Sequence, residues 1–307
     1  MPSSRAAIAG YISLCLIWGS TWLAIRVVVH DVPPLEAAFL RFFAAAVLLL
    51  GLALAQRRSW PVSRQQWNAI AVLSLTIMAV PYGLLFWAEQ VVTSSMTAVL
   101  FSAMPLLVAL FTPLMTHHSV PRQAVFAMVL AFGGLLVLFY TGLSTSPRAL
   151  LGGLAVVAAM VLSAWSVVYA KPRLRDVDPV IGTGMQLLLG SIALLWATWA
   201  LEPHRHGKWT SSAICAMAFL ILFGSCAAFV IYYWLLKKMH PYQLSTISLI
   251  VPVVAVLEGA LLLREPVPLL MVLAIAVVLG SVGAVLRASV ETSTEDGRVL
   301  MIRERSE

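Results

Sequence analysis

Long apolar runs alternate with short polar breaks along almost the whole chain. A helix that crosses a bilayer needs about 20 apolar residues. Ten runs reach that scale, at 6–28, 34–55, 67–89, 93–114, 123–141, 151–171, 180–201, 213–236, 241–263 and 268–287. The breaks carry turn and charge signals, among them "HDVPP", "QRRSWPVSR", "HHSVPR", "KPRLRDVDP" and "REPVP". Barrel strands would read as alternating segments of about ten residues, so the pattern predicts an all-α integral membrane protein with ten transmembrane helices. The first run follows Arg5 as a signal peptide would. It is too long for one and lacks a small-residue cleavage site, so it reads as the first span.

Composition agrees with the pattern. The 307 residues are 61% hydrophobic and 11% charged, against about 25% charged in soluble domains. The net charge of +7 raises the question of nucleic acid, but the charges sit in short clusters between apolar runs. Clusters of that kind set topology, so the expected partners are a lipid bilayer and a small molecule, with no nucleic acid. With the N-terminus inside, Arg5, Arg57, Arg58, Arg64, Arg122, Lys171, Arg173, Arg175, Lys237, Lys238 and Arg287 share the inner side, against Arg148, Arg205, Lys208 and Arg264 outside. Both termini are therefore expected in the cytoplasm. Cys15, Cys215 and Cys226 lie in apolar runs without a CxxC pair, so no disulfide framework, metal site or cofactor is expected.

The two halves align at a constant offset of 147 without gaps. Trp18 falls on Trp165, Asp31 on Asp178, Trp87 on Trp234, Pro105 on Pro252, Pro121 on Pro268 and Gly133 on Gly280. Five helices is an odd number, so the second copy enters the membrane from the opposite side, giving two inverted-topology five-helix repeats. The expected organisation is 1–147 for the first repeat, 148–287 for the second, and 288–307 for a polar cytoplasmic tail.

On these residues the chain resembles the EamA family of the drug/metabolite transporter superfamily. The matching stretches are "IWGSTWLAIR", "PPLEAAFLRFF", "VTSSMTAVLFSAMPLLVALFTPLM", "STISLIVPVVAVLEGALLLREPVP" and "VLGSVGAVL". The resemblance covers about residues 5–287. It implies a ten-helix carrier of the bacterial inner (cytoplasmic) membrane with a central cavity. It also implies export of amino acids or related metabolites, as in the YddG-like amino-acid exporters. One departure is Glu258, where the family usually carries an apolar residue.

Candidate substrate-binding residues follow from helical spacing. Trp18, Thr21, Trp22 and Ile25 share one face of the first helix, while Gly19 and Ser20 lie to its side and back. Trp165 and Tyr169 repeat the aromatic pair in the second half. These rings either line a cavity, offering π faces and N–H or O–H donors, or pack the bundle core. Tyr82, Phe86 and Glu89 share a face of the third helix, with Phe229 and Tyr233 in its partner. Thr97, Phe101, Ser102, Ser245 and Ser248 precede the paired prolines Pro105 and Pro252. Each proline frees a carbonyl and kinks its run.

A charge inside the membrane costs about 2.5–3.5 kcal/mol on insertion scales. Arg41 is the deepest cation, with a structural pairing to Glu36 or Glu258 and a substrate carboxylate as its two open readings. Arg26 and Glu36 lie near helix ends. Glu89 and Glu258 are the coupling candidates if transport follows protons, and an uncoupled facilitator needs neither. Glycines in "AFGGLLVL" and "LGSVGAVL" suit close helix contact between helices 5 and 10 or with a second protomer, and a monomer is favoured. The chain is not expected to be an enzyme, since no metal–diphosphate Asp cluster occurs, and without a Walker A sequence it is not an ATP-driven pump. The alternatives are export of nucleosides or cationic drugs, an intramembrane enzyme, or a channel.

Overall fold

The computed structural model describes residues 5–60, 63–116, 118–139, 146–203, 207–262, 269 and 272–287. Arg205, Arg264, Pro268 and the tail 288–307, used above for orientation, repeat and domain organisation, lie outside the described residues. The helices are α1 (Arg5–Asp31), α2 (Pro34–Ala55), α3 (Arg64–Ala88), α4 (Ser94–Phe101 and Met104–Met115) and α5 (Arg122–Phe139). They continue as α6 (Pro147–Arg173), α7 (Pro179–Leu201), α8 (Ser211–Lys238), α9 (Pro241–Ser245 and Ile247–Leu262) and α10 (Val272–Arg287). Among the described residues, seven helices are long and apolar enough to cross a membrane, while 122–134, 241–254 and 272–287 are shorter apolar helices. Phe126, Leu154, Trp196 and Trp199 are exposed, as side chains facing lipid are.

Local chemistry sets the helix ends. Ser63 and Gln66 form a capping box that starts α3 ahead of its apolar run. Asp178 Oδ1 accepts from the backbone N–H groups of Val180 and Ile181 at 2.9 and 3.2 Å and starts α7. Its other oxygen accepts from Arg58 Nη1 at 2.9 Å. Pro34 and Pro147 open α2 and α6, where a missing N–H costs nothing.

Two of the long helices contain a π-helical segment, Ser74–Ala79 in α3 and Leu222–Ala227 in α8. In α3 the segment precedes Pro81, which has no N–H for the carbonyl one turn back. Both segments offer a carbonyl to a neighbouring helix. Thr76 O accepts from Ser166 Oγ of α6 at 3.0 Å, and Gly224 O accepts from Arg41 Nη2 of α2 at 2.9 Å.

The packing crosses between the halves. α1 packs on α8 and α9, α6 packs on α3 and α4, and α2 packs on α7. Small residues allow the closest approaches. A Cβ at Gly19 would sit 2.5 Å from Val254 Cγ1, and one at Gly190 would sit 2.8 Å from Met78 Cβ and 3.0 Å from Ser74 O. Of the glycines expected to join α5 and α10, Gly134 meets Val278 and Ala274, whereas Gly133, Gly280 and Gly283 have nothing within 4 Å.

A basic side chain closes the C-terminal end of the third helix in each half. Arg26 Nη1 donates to the carbonyls of Glu89 and Val92, and Lys171 Nζ donates to those of Leu236 and Met239. Residues 89 and 236, and residues 92 and 239, are each 147 positions apart. Cations at helix C-termini are favourable, and here they also satisfy carbonyls that no helix turn can reach.

Candidate functional site

A cavity of about 100 Å³ lies between helices of the two halves. α1 contributes Trp18, Thr21, Trp22 and Ile25; α3 contributes Ile77, Tyr82 and Leu85; α4 contributes Ala98, Phe101 and Met104. From the second half come Ser163 of α6, Phe229 and Tyr232 of α8, and Leu244, Ser245, Ile247, Ser248 and Val251 of α9. Five pairs of these positions stand 147 apart: 82 and 229, 85 and 232, 98 and 245, 101 and 248, and 104 and 251.

The wall is built of aromatic rings in edge or tilted contact, the arrangement their quadrupoles favour. Trp18 lies 5.8 Å from Phe229 and 5.3 Å from Tyr232 between ring centroids, and Tyr82 lies 5.9 Å from Phe229. Trp22 tilts against Phe101 at 5.9 Å. Three hydroxyls in the wall donate to their own helices. Thr21 Oγ1 donates to Trp18 O at 2.7 Å, Ser245 Oγ to Tyr242 O at 2.9 Å, and Ser248 Oγ to Ser245 O at 2.9 Å. Their protons are committed, so toward a ligand these oxygens act as acceptors. Two groups in the wall are in the opposite position. Trp18 Nε1 and Tyr232 Oη have no hydrogen-bond partner among the described residues.

Of the residues singled out from spacing, Trp18, Thr21, Trp22, Tyr82, Phe101, Ser245 and Ser248 meet in this cavity. The others lie elsewhere. Trp165 and Tyr169 stack on each other at 4.8 Å, and Arg173 covers Tyr169 at 3.9 Å, so this pair does not line the cavity as its counterpart on α1 does. Thr97 is fully buried and donates to Thr93 O, and Ser102 is fully buried and donates to Val99 O. Tyr233 donates to Gln186 Oε1 at 2.6 Å, one helix position past the wall. Phe86 is fully buried beneath Arg41.

The two coupling candidates also sit outside the lining. Glu89 is fully buried at the end of α3. Glu258 accepts a hydrogen bond from Ser20 Oγ. Ser20 is therefore a polar contact between α1 and α9, and Gly19 is the close-packing position beside it.

Arg41 is 1% exposed and makes no ion pair among the described residues. Neither Glu36 nor Glu258 is its partner. Its Nε donates to Ser225 Oγ at 2.8 Å and its Nη2 to Gly224 O at 2.9 Å, so the π segment of α8 supplies both acceptors. The guanidinium carbon lies 5.1, 5.4 and 5.8 Å from the ring centroids of Tyr82, Phe42 and Phe86. Nη1 has no partner. Arg41 thus stands immediately behind the cavity wall, against Tyr82 and across Gly224 from Thr21.

Spacing alone passed over Tyr232, which lines the cavity, in favour of its neighbour Tyr233. Two signals point to it: Tyr232 stands three residues after Phe229 on the same face, and it aligns with Leu85 at the repeat offset. Leu85, Ala98, Met104 and Val251 carry no chemistry that a motif would flag.

The model of the EamA-like transporter family matches the chain twice, over residues 5–140 and 150–287. The chain is 29% identical over 266 residues to the uncharacterized transporter YoaV of Bacillus subtilis, covering 86% of this chain and 91% of that protein. It is 30% identical over 249 residues to the uncharacterized inner membrane transporter YedA of Escherichia coli K12, covering 80% and 79%. It is 25% identical over 247 residues to Protein PagO of Salmonella typhimurium, covering 80% and 81%. A solved crystal structure shares the fold with a TM-score of 0.77 at 19% identity, over 93% of this chain and 99% of that one.

Proposed function

The chain belongs to the EamA-like transporter family, and on that premise we propose that it is a secondary carrier exporting amino acids, neutral and aromatic ones among them, or related small metabolites across the bacterial inner membrane. The observation that carries this reading is the cavity, to which five pairs of positions 147 residues apart contribute from both halves. A binding site shared by two repeats is what alternating access requires, because exchanging the conformations of the halves moves the opening from one side to the other. The aromatic wall offers surface to an apolar side chain. The acceptor hydroxyls of Thr21, Ser245 and Ser248 suit an ammonium group.

The same reading takes the chain as ten crossings in two inverted repeats, 1–147 and 148–287, with both termini in the cytoplasm. Three further features support it: the crossed packing of α1 and α6 on the opposite halves, the paired π segments of α3 and α8, and the matched basic clasps of Arg26 and Lys171. The stacked pair Trp165 and Tyr169 then belongs to the half that lines the cavity in the other access state.

The test is transport by purified protein in liposomes, with labelled amino acids, nucleosides and cationic drugs, each measured with and without a pH gradient. Equilibration of amino acids is the expected result. Folded protein that moves none of the panel would sink the carrier reading, and movement of nucleosides or cationic drugs alone would replace the substrate class.

A further inference from the structure

The polar groups around the cavity have an uneven supply of partners. Tyr232 lines the cavity at 4% exposure with its hydroxyl unpartnered, and the indole N–H of Trp18, 5.3 Å away between ring centroids, is unpartnered too. Behind them Arg41 carries a third such group, Nη1, and a positive charge with no described carboxylate paired to it. An indole N–H and a guanidinium only donate, and a phenol donates readily. None of the described residues lining the cavity is acidic. Buried donors are ordinarily satisfied by protein or water, and unpartnered donors on residues that line a cavity are the ones a ligand completes.

We infer that the cavity reads its substrate through a carboxylate, which accepts hydrogen bonds from Trp18 Nε1 and Tyr232 Oη and whose charge Arg41 balances from behind Tyr82 and Thr21. The inference rests on the carrier reading and narrows it: a compound with an anionic oxygen pair is selected, and a purely cationic one is rejected. The rejection has a clear origin. A cation would face the uncompensated charge of Arg41 across one layer of side chains, in a medium that screens poorly. The aromatic faces of Trp18 and Tyr82 do not offset this, because the Tyr82 ring is already in contact with the guanidinium.

The experiment uses the full chain in lipid nanodiscs and four matched probes: phenylalanine, 3-phenylpropionate, phenylalanine amide and phenethylamine. Binding is read as thermal stabilisation, and liposome transport of each compound is measured in parallel, beside a nucleoside and a cationic drug. The two acids are expected to bind at least roughly 10-fold tighter than the amide and the amine, the range for a charge-assisted hydrogen bond. Tyr232→Phe keeps the ring and deletes a hydroxyl that bonds nothing among the described residues, so the variant is expected to fold as well as the parent. Its preference for the acids should fall by roughly 10-fold.

An amine or amide bound as tightly as the acids overturns the inference, as does an unchanged preference in the folded Tyr232→Phe variant. Transport of the nucleoside or the drug with no binding of the acids overturns it while leaving the carrier reading intact. If folded protein transports nothing, the carrier reading falls and the inference falls with it.

Discussion

Replacing Arg41 with Met separates what the guanidinium does for the fold from what it does for the substrate. The two side chains are close in length, so packing against Phe42, Tyr82 and Phe86 is largely kept. Removing a charge from the membrane interior returns about 3 kcal/mol on insertion scales. Against this stand the charge-assisted bonds to Ser225 Oγ and Gly224 O, worth about 1.5–3 kcal/mol each, so roughly 3–6 kcal/mol is lost. The net expectation is a destabilisation of about 0–3 kcal/mol, which in a chain of this size is a drop of no more than several degrees in Tm.

The substrate effect should be larger. A carboxylate at roughly 8 Å from the guanidinium gains about 2 kcal/mol at an effective dielectric of 20, which is roughly 30-fold in affinity. The assay is initial transport rate against concentration in liposomes, with Tm measured in the same detergent preparation. Arg41→Met should raise KM for an acid by roughly 30-fold while the protein still folds, and Arg41→Lys should recover most of that loss because the charge remains. A folded Arg41→Met protein with the parent KM would refute the electrostatic argument.

Other substitutions test the remaining assignments. Trp18→Ala should cut transport strongly, because its ring forms the wall beside Phe229 and Tyr232; an unchanged rate in liposomes would return Trp18 to a packing role. Gly190→Ala should cost about 1–3 kcal/mol, because the new methyl meets Met78 Cβ and a backbone oxygen that cannot swing away, whereas Gly280→Ala, with nothing within 4 Å, should leave Tm level or slightly raised. Lys171→Met should lower Tm by the equivalent of about 1–3 kcal/mol by stranding the carbonyls of Leu236 and Met239; equal melting curves would mean those carbonyls find water. Glu258→Gln should leave transport within about twofold, since a neutral amide can still accept from Ser20 and Glu258 does not line the cavity; loss of transport in folded protein would make it a coupling acid.

The hydrophobic runs, their ends and the 147-residue offset could be read from the residues alone, because each depends on local properties. Run length follows from bilayer thickness, helix starts from Ser, Thr, Asp and Pro, and the offset from residue identity. The face carrying Trp18, Thr21 and Trp22 was also legible, since three positions on one helix fix their own relation. What only the tertiary structure decided was the rotation of each helix. In a soluble protein the polar face points outward and sets that rotation, but here lipid and core are both apolar, so no periodic signal marks the inward side. One residue is 100° of turn on an α-helix, enough to seat Tyr232 in the cavity wall and send Tyr233 to Gln186. The same freedom packs Trp165 on Tyr169 while the matching pair on α1 lines the cavity, a difference between two copies that similar sequences cannot display. The partners of the buried charges were equally non-local. Arg41 is held by a carbonyl and a hydroxyl in a π segment 183 and 184 residues further along the chain, acceptors that exist only once α8 departs from regular helix and packs on α2.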